Sequence, residues 1–228
     1  MPKRICENKT VMALQDQLDE ITARTRTLVQ PERMALSERA VAELFASGAE
    51  DRVLLAGVTA PEFALNDASG RRVRSADLLA LGPLVVKFFR GRWDPYCATE
   101  LEAWRDLHPR LREAGALLVA ISPQSSRQSD FMAGQHAIPF PILSDPRCVV
   151  AEQFGLAYAV PDFQRDYYRS ILLNIPFVNG EDSWRLPLPA TFVLDRDRTI
   201  LYAQAFADHR VRPEPDDALT AALSACRR

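Results

Sequence analysis

The chain has 228 residues, of which 47% are hydrophobic and 25% charged, with a formal net charge of −2. This balance belongs to a chain with a packed core, and the near-neutral charge gives no general attraction to nucleic acid or to an anionic membrane. No apolar run approaches the roughly 18 residues needed to cross a bilayer, and Met1 to Thr10 is polar and basic, unlike a secretory leader.

Residues 1–11 read as an extension with little structure. Leu14, Leu18, Ile21 and Leu28 recur at helical spacing and predict an amphipathic helix over 12–28. A second helix is predicted from Met34 to Ser47, with Leu36, Ala40, Val41 and Leu44 on its apolar face and Gly48 as its stop. Both helices are poor in catalytic residue types and read as a packing arm or a dimer contact. From Gly57 onward strands and helices alternate. Leu84 to Phe89 reads as a buried strand, Thr99 to Ala114 as a helix ended by Gly115, and Ala116 to Ile121 as the next strand. A helix from Ser125 to His136, a short strand at Pro141 to Leu143 and a helical stretch from Asp145 to Phe154 follow. Thr191–Asp195 and Ile200–Phe206 predict a hairpin, and the last helix is expected over Glu214 to Cys226. Residues 156–188, rich in aromatics and prolines, break the rhythm and read as an ordered insertion. The domain plan is therefore a helical extension over 1–56 and an α/β domain over 57–228.

The cysteines Cys6, Cys97, Cys148 and Cys226 lie far apart, and the chain holds only 3 histidines. Neither a zinc cluster nor a disulfide framework fits that pattern. No glycine-rich dinucleotide fingerprint follows any strand, so no metal, flavin or nucleotide cofactor is expected. Reduced thiols in the cytoplasm are the default expectation.

The informative segment is Phe88-Phe89-Arg90-Gly91-Arg92-Trp93-Asp94-Pro95-Tyr96-Cys97-Ala98-Thr99-Glu100-Leu101. A buried strand ends, a tight loop follows, and a helix begins at or just after Cys97. Free N–H groups in a first helical turn favour an anion such as a thiolate. Arg90 and Arg92 add positive potential, while Trp93 and Tyr96 shield one side of the sulfur. Such surroundings lower a cysteine's pKa and make it nucleophilic.

This segment resembles the active-site loop of peroxiredoxin-like proteins of the alkyl hydroperoxide reductase/thiol-specific antioxidant (AhpC/TSA) family. Members commonly read Arg-Gly-x-Trp-Cys-Pro-Tyr-Cys followed by x-x-Glu-Leu, and this chain matches at Arg90, Gly91, Trp93, Pro95, Tyr96, Cys97, Glu100 and Leu101. Ala60-Pro61-Glu62-Phe63, Ala120-Ile121-Ser122-Pro123-Gln124, Leu143-Ser144-Asp145-Pro146 and Leu186 through Asp195 match as well. The resemblance implies an α/β thioredoxin-like fold, a central mixed sheet flanked by helices, here with the N-terminal helical extension. It implies Cys97 as the peroxidatic residue, with Arg90 as the supporting charge and Glu100 orienting an arginine. Arg185 is a second choice for that charge. It also implies a cis Pro189 beside the sulfur, and Trp93, Tyr96 and Pro189 in contact with substrate.

The chain departs from the family at Asp94, which replaces the first cysteine of the frequent pair and rules out dithiol exchange within the motif. Asp94 reads equally as a helix cap and as a catalytic carboxylate. The expected reaction is reduction of hydrogen peroxide or an organic hydroperoxide by a one-cysteine cycle that an external thiol restores, and Cys148 and Cys226 are the candidate resolving cysteines. A single-cysteine thiol transferase and a redox sensor or binding module without turnover stand as alternatives. A homodimer is the expected assembly.

Overall fold

The computed structural model describes residues 12–227. The expected extension over residues 1–11, Cys6 included, lies outside them. The described chain begins with two helices, α1 (Leu14–Leu28) and α2 (Pro31–Ala46). Pro31 occupies the first turn of α2, where its missing N–H costs nothing, so this helix starts three residues before the expected Met34.

The domain itself is built on a seven-stranded mixed sheet in the order β2-β1-β5-β4-β3-β8-β9. Its strands are β1 (Ala64–Asp67), β2 (Arg72–Arg74), β3 (Leu84–Phe88), β4 (Leu117–Ser122), β5 (Ile142–Ser144), β8 (Ala190–Leu194) and β9 (Ile200–Ala205). The β1–β2 hairpin has no counterpart in the sequence reading, because three to four residues of mixed polarity carry too little alternation to stand out. β3 is buried along its whole length and runs parallel to β4 and antiparallel to β8. Side chains alternate across the sheet, so β3 feeds two cores. Val86 and Phe88 meet Phe154 and Phe192 on one face, and Val85 and Phe89 meet Leu101 and Trp104 on the other.

The second face is covered by α4 (Pro95–Ala114) and α9 (Pro215–Ala225). α4 begins four residues before the expected Thr99, because Asp94 caps it and Pro95 fills its first position. Gly115, at φ 85°, ends it. α5 (Ser126–His136) follows β4, and a 3-10 turn, Pro146–Cys148, leads into the short α6 (Val149–Gln153). Residues 156–188 hold four elements. β6 (Ala157–Ala159) pairs antiparallel with β7 (Arg185–Pro187), and α7 (Asp162–Ser170) and α8 (Ile175–Asn179) lie between them. Val160, Tyr168, Ile175, Trp184 and Leu186 form their own small core. No helix among the described residues is long and apolar enough to cross a membrane.

The N-terminal extension is more than a packing arm. Leu14 and Leu18 bury themselves against Tyr96 of the Cys97 loop, and the Tyr96 hydroxyl lies 3.0 Å from Thr22 Oγ1. α1 has no side-chain cap of its own. The carboxylate of Glu214 accepts its first N–H groups instead, at 3.2 Å from Leu14 N and 3.0 Å from Gln15 N.

Candidate active site

Cys97 sits in the first turn of α4 and is fully buried. The loop that delivers it closes over Gly91, whose φ of 151° leaves no room for a side chain: a Cβ there would lie 2.7 Å from the Trp93 indole nitrogen. Asp94 caps the helix, accepting the Tyr96 N–H at 3.0 Å. Its other oxygen accepts from Arg90 Nη1 at 3.1 Å, and both side chains are buried. Arg90 also donates to the Tyr168 hydroxyl at 2.6 Å, and its guanidinium lies over the Trp93 ring at 4.7 Å. The cap and the buried ion pair thus use up Asp94, and Arg90 is its partner. Arg92 turns away instead, donating to the side chain of Gln128.

The guanidinium that touches the sulfur belongs to a residue that the sequence reading missed. Arg212 Nη2 donates to Cys97 Sγ at 3.5 Å. Arg212 Nη1 donates to the carbonyls of His209 and Val211 at 2.6 and 2.8 Å, and Nε donates to Glu100 Oε2 at 2.6 Å. The arginine paired with Glu100 is Arg212. The other Glu100 oxygen lies 2.5 Å from Lys87 Nζ, and Lys87 also donates to Thr191 Oγ1 at 3.0 Å. Arg212 comes from the loop before α9, 115 residues from the cysteine in sequence, and no periodicity marks it. Pro213 beside it is the one local hint of a fixed backbone. Lys87 lies inside the segment that reads as a buried strand, where no pattern marks it.

The electrostatic balance differs from the expected one. Burial is the largest influence on the Cys97 thiol and pushes its pKa up to about 12. Asp94 adds to the rise, while Arg212 and Arg90 oppose it. The helix terminus and its cations therefore do not leave a low-pKa thiol in this closed arrangement. His209, edge-on to Tyr96 at 5.6 Å, is driven well below its ordinary range by burial and by Arg90, Arg212 and Arg210, so its imidazole is neutral.

The remaining expected site residues are scattered. Pro189 precedes β8, whose Ala190 lies opposite Phe88, so it does stand at the Cys97 end of the sheet. No peptide bond among the described residues is cis, and the bond before Pro189 is trans, contrary to expectation. Arg185 pairs with Glu152 at 2.7 Å in the insertion hairpin, which takes it out of the Cys97 group. Tyr96 faces α1, and Trp93 stacks on Arg90. Cys148 is buried among Phe88, Phe154 and Leu188, on the sheet face opposite Cys97. Cys226, at the end of α9, lies in the field of Asp195 and Arg196 beyond the far end of β8. The length of β3, roughly 13 Å at the usual rise per residue, separates that end from the Cys97 loop. A cavity of about 440 Å³ between α2 and the insertion reaches Arg90 and His209. Among the described residues no group of three or more His, Cys, Asp or Glu is arranged to hold a metal.

The AhpC/TSA family model matches residues 56–203. A putative peroxiredoxin of Mycobacterium tuberculosis is 31% identical over 145 residues, covering 64% of this chain and 81% of that protein. Chloroplastic peroxiredoxin Q of Sedum lineare is 35% identical over 100 residues, 44% of this chain, and the match spans about half of its length, 53%. In structure, peroxidoxin BcpB from Mycobacterium tuberculosis superposes with a TM-score of 0.59 at 27% identity, over 76% of this chain and 97% of that one. The chain belongs to the AhpC/TSA family: it is a peroxiredoxin-like oxidoreductase on a thioredoxin-like fold.

Proposed function

We propose that the chain is a one-cysteine thiol peroxidase for hydrogen peroxide or organic hydroperoxides, acting in the cytoplasm with an external thiol as reductant. The observation that carries this reading is the Arg212 guanidinium held on Cys97 Sγ in the first turn of α4. A donor there stabilises the thiolate and the negative charge that develops on peroxide oxygen. The Cys97 thiolate attacks one oxygen of the peroxide, the O–O bond breaks, and the leaving oxygen takes a proton to become water or an alcohol. Cys97 becomes a sulfenic acid. A first external thiol condenses with it, releasing water and leaving a mixed disulfide. A second external thiol then releases Cys97 and departs as the oxidised disulfide. The one-cysteine form is supported by the positions of Cys148, on the opposite sheet face, and of Cys226, which packs on the same core as Cys97 but beside Asp195 and Arg196 at the far end of the sheet.

Stopped-flow consumption of hydrogen peroxide and of cumene hydroperoxide, with intact protein and with Cys97→Ser, tests this reading. Second-order consumption much faster than by a free thiol, lost in the variant, is expected. A rate no faster than a free thiol's overturns it. Mass analysis of the oxidised protein is expected to show sulfenic acid or an external mixed disulfide. A Cys97–Cys148 or Cys97–Cys226 bond would overturn the one-cysteine form.

A further inference from the structure

Lys87 has no structural reason to be where it is. It lies on the central strand, fully buried, with Val85 and Phe89 on the same face. Replacing a buried ion pair with well-packed apolar side chains is commonly neutral or stabilising, so stability does not explain an ammonium in the middle of this sheet. Its contacts do. One oxygen of Glu100 is held by Lys87 and the other by Arg212 Nε. Arg212 Nη1 is occupied by two carbonyls, which leaves Nη2 for the sulfur. Take Lys87 away, and Glu100 Oε1 is an unpaired buried anion beside a guanidinium. Such an oxygen recruits a second N–H from Arg212, and turning the guanidinium toward Glu100 draws Nη2 off Cys97.

The charge balance points the same way. With Lys87 as an ammonium, a form that its burial opposes and its contact with Glu100 favours, the buried charges around Cys97 are Lys87, Arg90 and Arg212 against Asp94 and Glu100. The cations exceed the anions by one, and a Cys97 thiolate would complete the balance. The other titratable groups facing this cluster are His209 from the Arg212 loop, Tyr158 from β6, Tyr168 from α7 and Tyr202 from β9, which feels Glu100 and Asp217, while Asp208 is paired with Arg210. His209 is neutral, and the three phenols are pushed upward by burial, so none of them alters this count.

We propose that Lys87 is the positioning residue of the Cys97 site: it holds Glu100 so that Arg212 stays on the sulfur, and it supplies the cation that makes the net buried charge around Cys97 positive. This rests on Cys97 being the nucleophile, but its test needs no peroxide.

The test is the pH dependence of Cys97 alkylation by iodoacetamide, followed by mass spectrometry of the Cys97 peptide in intact protein, Lys87→Met and Lys87→Arg, with thermal melting alongside. In Lys87→Met the alkylation profile is expected to move up by at least one pH unit, which is about tenfold slower reaction below the pKa. Lys87→Arg should stay nearer the intact protein. A folded Lys87→Met with the intact protein's profile overturns the proposal, whatever its melting temperature. A shifted profile without peroxide consumption by the intact protein upholds Lys87 and overturns the peroxidase reading alone. Should Lys87→Met fail to fold, the ¹⁵N resonance of Lys87 Nζ in the intact protein decides at neutral pH. An ammonium is expected there, and a neutral amine overturns the proposal.

Discussion

Cys97 and Cys148 end the same short pattern, Asp94-Pro95-Tyr96-Cys97 and Asp145-Pro146-Arg147-Cys148. Both sulfurs are fully buried, both stand at the start of a helix, and burial pushes both thiols upward. Their surroundings could hardly differ more. Asp94 caps its own helix and is tied to Arg90, and a second guanidinium and a lysine converge behind the sulfur. Asp145 reaches instead to the N–H groups of Val150 and Ala151, both at 2.9 Å, and Cys148 is left among apolar side chains, with φ at 57°. Three residues N-terminal to a cysteine, the same Asp-Pro start leads to a sulfur ringed by charge in one place and to one ringed by apolar side chains in the other. What separates them is charge brought from distant parts of the chain.

The sharpest way to break this comparison is to exchange the cysteines' fates. Cys97→Ser is expected to abolish peroxide consumption, whereas Cys148→Ala should sustain a full cycle with external thiol. Stopped-flow traces that lose turnover in Cys148→Ala would show that the two sulfurs work together. Next in size is Arg212→Met, expected to slow peroxide reduction by about 10²-fold or more, the usual loss when an oriented donor is removed from developing charge. An unchanged rate would leave Cys97 no better placed than Cys148. Arg90→Met strands Asp94 as a buried, unpaired anion and is expected to cost roughly 3–5 kcal/mol in urea unfolding. A loss within a few tenths of a kcal/mol would mean that the cap alone satisfies Asp94.

The smallest effect is on alkaline stability. The folded Cys97 thiol, at about 12, lies above its ordinary value of 9.0, so the native state holds that proton more tightly than the unfolded chain does. Its contribution is fully present below pH about 9 and fades as the pH climbs toward about 12. The urea midpoint of the intact protein should therefore drop further between about pH 8 and about pH 10.5 than that of Cys97→Ala. Parallel slopes for the two proteins would contradict the buried, protonated thiol.

Local signals made most of the fold legible in the sequence. The full burial of β3, the stop at Gly115 and the β8–β9 hairpin all follow from short-range pattern and turn chemistry. Helix starts were misplaced where an Asp-Pro or Gln-Pro entry set them earlier than the first apolar repeat. In the site, Cys97, Asp94, Arg90 and Glu100 share one loop and helix, so a single stretch of sequence displays them together. Arg212 and Lys87 were not legible because their meaning depends on tertiary pairing: one sits in an irregular loop, and the other interrupts an apolar strand by a single residue. Tyr96 reads as a pocket wall from its position and turns out to anchor α1, which the chain folds back from a distant segment.

That anchoring has a consequence for anyone trimming the protein to its recognisable core. The segment matched by the family runs over 56–203, and it includes the cysteine, its cap and Glu100. It leaves out Arg212, whose backbone N–H is held by Gln15 Oε1 at 3.1 Å, and Glu214, which secures the start of α1. A fragment cut at those borders would carry the signature motif intact while lacking both the side chain that addresses the sulfur and the strut that braces it. α1 and the loop before α9, both outside the motif, are fastened to each other beside the thiol's helix, so the arrangement around Cys97 reaches further along the chain than the resemblance does.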